Sequence, residues 1–172
     1  MLVQIGSSKE PSDIVDLLLE CHHRIRSFIG LASRLATVES NSLKEVEDAA
    51  KRVTRYFSEA LPLHVADEEE SILPRLTGKN TELDATLERM HREHVKHKPQ
   101  IEVLVATCRA VQNAPEHLPQ LRKTLQPTAA WLEAEFGRHL QQEEAVILPA
   151  IRALLTEEEQ TEILNELRTR RR

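Results

Sequence analysis

The chain has 172 residues, a formal net charge of −5, four glycines and only 3% aromatic residues. This length carries one domain with a substantial core, and so few aromatics disfavour a β-sandwich and suit helices packed by aliphatic side chains. The negative balance, with no basic face along the chain, argues against nucleic acid as the main partner.

The opening "MLVQIGSSKE" is too short and too polar for a signal peptide. No later apolar run approaches the roughly 20 residues of a membrane span. A soluble cytoplasmic protein with no membrane partner is expected. The first helix is predicted over residues 12–39, capped by Ser12, with Ile14, Leu18, Cys21/His22, Ile25, Phe28/Ile29, Ala32 and Leu35 recurring at helical spacing. Ser42 with Glu45 forms a capping box that opens a second helix, 43–75. The turn "TGKN" leads to a third helix, 81–113, and "APEHLP" separates it from a fourth, 118–150. Thr156 with Glu159 repeats the capping box before a short helix, 157–168. Pro62, Pro99 and Pro127 fall inside three helices whose apolar period continues on both sides, so each is expected to kink rather than end its helix. Cys21 and Cys108 lie on apolar helical faces and read as reduced, buried thiols. Arg168, Arg170, Arg171 and Arg172 read as a solvated tail rather than a basic patch. Short connections make sequential helices antiparallel. The expected fold is therefore all-α: an up-down-up-down four-helix bundle over about 12–155 with a short C-terminal helix, one domain over 1–172.

The chain repeats itself once. "HVADEEESILP" (64–74) and "HLQQEEAVILP" (139–149) share the frame H-x-x-x-E-E-x-x-I-L-P. The inward stripe of the second helix reads Val53, Phe57, Ala60, His64, Glu68, Ser71; that of the fourth reads Leu132, Phe136, His139, Glu143, Val146. Residues four apart share a helix face, so both His–Glu pairs point into the core. The third helix carries Leu83, Leu87, Met90, His94, His97, Ile101, Leu104 and Cys108 on its stripe, with His91 at its margin, and His22 leads the stripe of the first.

One core histidine is ordinarily a hydrogen-bonded packing residue. Four imidazoles and two carboxylates from four helices are different, because each uncompensated buried charge costs several kcal/mol. Mutual His–Glu pairing offsets part of that cost but does not explain why every helix contributes. A metal site does. The nitrogen and oxygen donors, with no thiolate, disfavour structural zinc and suit iron, manganese, zinc or copper. Six donors exceed what one ion needs and fit two, with the glutamates bridging. With an added solvent-derived bridge, about two positions on two octahedral ions stay open to small molecules.

These residues resemble the hemerythrin-like HHE cation-binding domain family over about 12–155. The resemblance rests on "HHRI" (22–25), "HVADEEESILP" (64–74), "MHREH" (90–94) and "HLQQEEAVILP" (139–149). It implies an antiparallel four-helix bundle around an oxygen-bridged centre of two iron ions. Carried over by position, the family's ligands fall on His22, His64, Glu68, His94, His139 and Glu143. Oxygen carriers of the family use H-x-x-x-H on the third helix, where this chain has His94 and then Lys98. They end the fourth helix's motif in H-x-x-x-x-D, where it has His139 and Glu143. The chain is thus closer to the iron- or oxygen-responsive variants of bacteria and eukaryotes, and His91 is placed to supply an additional imidazole.

Glu69 and Glu144 lie about 100° further round their helices. They are expected either to partner ligand imidazoles or to lie on a solvated face. Tyr56, two turns before His64, either packs or turns its hydroxyl to the site. Two functions fit this chemistry. One is a non-haem di-iron protein that binds or senses oxygen, nitric oxide, a small anion or iron itself. The alternative is an enzyme reducing peroxide or another small oxidant. No separate proton donor or substrate pocket is visible, which favours binding and sensing. No protein partner can be named from the sequence.

Overall fold

The computed structural model describes residues 13–37 and 42–172, all helical or in short connections. Five helices result. We label them α1 (Ile14–Thr37), α2 (residues 43–76), α3 (Thr81–Asn113), α4 (residues 118–154) and α5 (Glu157–Arg170). Both capping boxes form, Ser42 with Glu45 and Thr156 with Glu159, and Asn80 caps α3 through the backbone N–H groups of Glu82 and Leu83. The turn before α3 needs a positive φ, and Gly78 supplies it at 83°. Ser12 lies outside the described residues; Asp13 Oδ1 accepts from the Asp16 backbone N–H, 2.8 Å, at the start of α1.

Two of the long helices contain wide turns. In α2, π turns occupy Tyr56–Ala60 and Asp67–Ile72; in α4 one occupies Glu143–Ile147. Each closes with a backbone bond to the residue five back: Leu61 to Tyr56, Leu73 to Glu68, Leu148 to Glu143. In every case the next residue is proline, Pro62, Pro74 or Pro149. A proline ring clashes with the carbonyl four residues back in a regular α-helix and has no N–H to donate. Inserting one residue into the preceding turn is a way to accommodate it without ending the helix. Pro99 and Pro127 instead sit within continuous α-helix.

The extra residues change which side chains face inward. Ala60 and Val146, expected on the buried stripes, are exposed, and their neighbours Leu61 and Ile147 are buried instead. In α3, which has no wide turn, Leu83, Leu87, Met90, His97, Leu104 and Cys108 are all buried.

The core consists of two apolar clusters separated by a polar layer. One contains Ile25, Ile29, Val53, Phe57, Leu104, Leu132 and Phe136; the other contains Leu18, Ile72, Leu87, Met90, Ile147 and Ile163. Along α1 the chain passes from the second cluster to the first, along α2 from the first to the second, and α3 and α4 repeat the alternation. Successive helices are therefore antiparallel. Each packs on its sequence neighbours, and α1 closes the ring against α4. This is the expected up-down-up-down bundle.

The helix α5 covers the end of the second cluster with Ile163 and Leu167. Arg168 and Arg172 are exposed as expected, but Arg170 and Arg171 are not part of a solvated tail. Arg170 bonds Asp67 (2.7 Å), Glu70 (3.2 Å) and Ser71 Oγ (3.0 Å), and Arg171 makes two contacts with Asp67. The Asp67 carboxylate is fully buried inside the π turn of α2, so it requires cationic partners, and these two arginines supply them. No local pattern marks a buried acid at 67, since it stands in a run of four acidic residues.

Cys21 is half-buried and Cys108 buried, and neither is bridged. Burial pushes both thiols up, Cys108 to about 12. Among the described residues no helix is long and apolar enough to cross a membrane.

Candidate metal centre

The polar layer between the apolar clusters is made of His22 from α1, His64 and Glu68 from α2, His94 from α3, and His139 and Glu143 from α4. These are the six residues expected from the sequence. They form two overlapping groups able to hold a metal: His22, His64, Glu68 and Glu143 in one, and Glu68, His94, His139 and Glu143 in the other. Within each group the donor atoms lie within 4.8 Å of one another.

The two carboxylates are divided between the groups atom by atom. Glu68 turns Oε1 to His64 Nε2 (3.2 Å) and Oε2 to His94 Nε2 (3.3 Å). Glu143 turns Oε1 to His139 Nε2 (2.9 Å) and Oε2 to His22 Nε2 (3.3 Å). Despite these distances, His22 Nε2, His64 Nε2, Glu68 Oε2 and both Glu143 oxygens are buried without hydrogen-bond geometry to any partner. Buried polar atoms are ordinarily satisfied. A group of such atoms lying together is what a cation between them would require.

Further carboxylates hold the other side of three imidazoles. His22 Nδ1 lies 2.9 Å from Glu144 Oε1, His94 Nδ1 2.7 Å from Glu69 Oε1, and His139 Nδ1 2.7 Å from Glu93 Oε2. An ionised carboxylate can only accept, so each Nδ1 carries the hydrogen and donates it. In a neutral imidazole Nε2 is then left with its lone pair, the form a metal takes. His94 Nε2 and His139 Nε2 stand 3.2 Å apart. Two lone pairs at that distance repel unless a proton or a metal ion lies between them.

The ionisation of the layer follows from its burial. Burial drives His64 down to about 3, against the pull of Glu143 and with the push of the neighbouring imidazoles, so it is a neutral imidazole at any ordinary pH. Burial opposes charge on His22 and His139 too, but the Glu143 carboxylate beside each raises both. Burial and the Glu143 charge push the Glu68 carboxyl well above the usual range. Burial acts on Glu143 in the same direction, yet His139 and His22 hold it below that range. Two carboxylates this close compete for the available protons, and cations would relieve both.

The family model described as the Hemerythrin HHE cation binding domain matches residues 13–151. The chain belongs to that family. No curated protein matches it. As an HHE domain it carries buried His/Glu clusters able to hold metals, and their overlap through Glu68 and Glu143 suits a dinuclear site.

His91 stands outside this HHE cluster. It is 55% exposed and bonds Glu69 Oε2 at 2.7 Å, so it supports the carboxylate that holds His94 instead of adding an imidazole to the layer. Glu69 and Glu144 are partners of cluster imidazoles, not a solvated face, and Arg26 adds a bond to Glu144 at 2.8 Å. Glu93 plays the same part for His139 and was not found from the sequence. It precedes His94 in no repeated frame, and only the packing of α3 on α4 brings it to His139. Tyr56 packs, stacked on Phe28 at 4.1 Å between ring centroids.

His97 is buried between Phe136, Trp131 and His139, with neither ring nitrogen in a hydrogen bond. Burial and the adjacent His139 drive it down to about 4. It belongs to neither cation group.

Proposed function

We propose that the two sites hold iron and that the protein binds or senses a small exogenous ligand: oxygen, nitric oxide, a small anion or iron itself. The observation that carries this reading is the division of Glu68 and Glu143, each offering one oxygen to each of two imidazole pairs. In this reading His22 and His64 hold one ion and His94 and His139 the other, with the two glutamates shared. Iron bound there supplies a redox-active Lewis acid with coordination positions left over for an outside ligand. The protein's own part is to fix three imidazoles through Glu144, Glu69 and Glu93 and to keep bulk water out with apolar residues above and below the layer.

Elemental analysis and the optical spectrum of protein expressed with iron available test the proposal. About two iron ions per chain are expected, with a spectrum that changes on adding azide or nitric oxide. A fully loaded chain holding one ion or fewer overturns the dinuclear reading. A two-iron form whose spectrum ignores saturating azide and nitric oxide overturns the ligand-binding one.

A further inference from the structure

The four cluster imidazoles are not treated alike. Three have a carboxylate on Nδ1, but His64 Nδ1 has no hydrogen-bond partner among the described residues. Its Nε2 faces Glu68, so Nδ1 lies on the opposite edge of the ring. Beside His64 is a cavity of about 660 Å³ between α1, α2 and the end of α5. That size is in the range of small-molecule sites.

The cavity's chemistry is distinctive for a chain of net charge −5. Four arginines line it, Arg24, Arg52, Arg55 and Arg171, against the single carboxylate of Glu59. Glu59 is taken by Arg55 at 3.1 Å, and Arg171 by Asp67. Among the described residues Arg24 reaches only Glu20, at 3.7 Å. Arg52 has no carboxylate partner among the described residues and lies over the Phe28 ring, 5.9 Å from its centroid. Phe28 and Tyr56, stacked on each other, give the same cavity an apolar wall. A basic concavity on an acidic protein concentrates anions by its local field.

We infer that this cavity binds a small organic anion, a carboxylate or phosphate group on a compact apolar body. The anionic group lies with Arg24 and Arg52, and the body lies against Phe28 and Tyr56. The bound anion adds negative charge on the side of the layer that His64 lines, the one imidazole of the four whose Nδ1 has no carboxylate among the described residues. Its coupling to the metal centre rests on the proposed function above. A cation on His64 Nε2 makes the imidazole more electropositive, so metal and anion each tighten the other's binding.

Nuclear magnetic resonance titrations of the full chain test this, in metal-free and zinc-loaded forms, with benzoate, phenyl phosphate, inorganic sulfate and neutral benzyl alcohol. Saturable shifts are expected at the Tyr56 and Leu63 amides and the Arg52 Nε–H for benzoate or phenyl phosphate. The tighter of the two identifies the anionic group. The Arg24→Gln/Arg52→Gln variant, altered only at exposed side chains, should bind at least about tenfold more weakly. Benzyl alcohol binding as tightly, sulfate binding as tightly as both organic anions, or shifts that never saturate would each overturn the site. Equal affinity in the metal-free and zinc-loaded forms would overturn the coupling. Zinc stoichiometry, measured separately, reports on the dinuclear reading, and the metal-free titration reports on the cavity whether or not that reading holds.

Discussion

Glu68 and Glu143 each face both imidazole pairs, so removing either carboxylate affects two sites at once. Glu68→Ala and Glu143→Ala should each bring metal content well below two ions per chain, whereas Glu69→Ala, acting only through the far side of His94, should lower affinity by about tenfold or more without changing stoichiometry. Equal losses at all three, read by elemental analysis, would show that the carboxylates are not shared as the geometry places them. His94→Ala should likewise cost more metal than His91→Ala, because His91 reaches the centre only through Glu69. His97 offers a prediction independent of metal. Its ordinary value of 6.5 is driven down to about 4 by burial, so above 6.5 it is neutral in both folded and unfolded chains. As pH falls below 6.5 the unfolded chain takes up the proton and the folded one does not, so stability is lost until about pH 4 and then levels off. His97→Phe should therefore lose less stability than the parent between pH 6.5 and 4 in urea titrations of metal-free protein; parallel curves would refute the assignment. The six clustered residues were legible because all lie on apolar stripes and four of them, His64, Glu68, His139 and Glu143, repeat a frame. Glu93 and Asp67 were not, because one is defined by a neighbouring helix and the other by arginines about a hundred positions later, a relation no local pattern records.

The helices were legible almost to their ends, since capping boxes and apolar periods are local signals. The wide turns were not, although the Leu-Pro that follows each was their mark. Helical spacing assigned Ala60 and Val146 inward, and both are exposed because a π turn ends at or spans each position and moves the stripe on by one residue. The same turns give consecutive glutamates different tasks: Glu68 and Glu143 enter the layer, while Glu69 and Glu144 reach the backs of His94 and His22. The helix α5 is tied to one of these turns by Arg170 and Arg171, whose partner Asp67 is adjacent to Glu68. Removing both arginines leaves a buried carboxylate unpaired. Arg170→Ala/Arg171→Ala should destabilise the chain by about 3 kcal/mol and loosen α5. Adding Asp67→Ala to that variant should restore part of the loss, because the stranded charge goes with it. Denaturant titration of the three forms measures this, and a triple variant less stable than the double would show that Asp67 serves some purpose other than pairing α5.

At the scale of the whole molecule, the bundle places a layer of imidazoles and carboxylates between two apolar clusters, and each of α1 to α4 crosses that layer once. The topology was legible because each inward stripe is apolar at its ends and polar where it crosses the layer, and short connections force neighbours to alternate in direction. The layer is also where the metal-free fold is least satisfied. Several of its nitrogens and oxygens lack hydrogen bonds, Glu68 is pushed toward its neutral form, and His64 resists protonation. Ions bound there act on the folded state alone, since the unfolded chain does not bring the four helices together. At a free concentration one hundred times Kd each ion stabilises the fold by about 2.7 kcal/mol. For a chain of this size each kcal/mol moves Tm by about 2–4 °C. Complete chelation should therefore lower Tm by roughly 10 °C or more, and re-addition of the metal should restore it. The Glu68→Ala/Glu143→Ala variant, unable to share ions between the imidazole pairs, should melt at nearly the same temperature with and without chelator. Acid should mimic chelation, because protons compete for the imidazoles and carboxylates that the ions need. A parent protein whose Tm does not change after metal removal, confirmed by elemental analysis, would place its metal elsewhere than between the four helices.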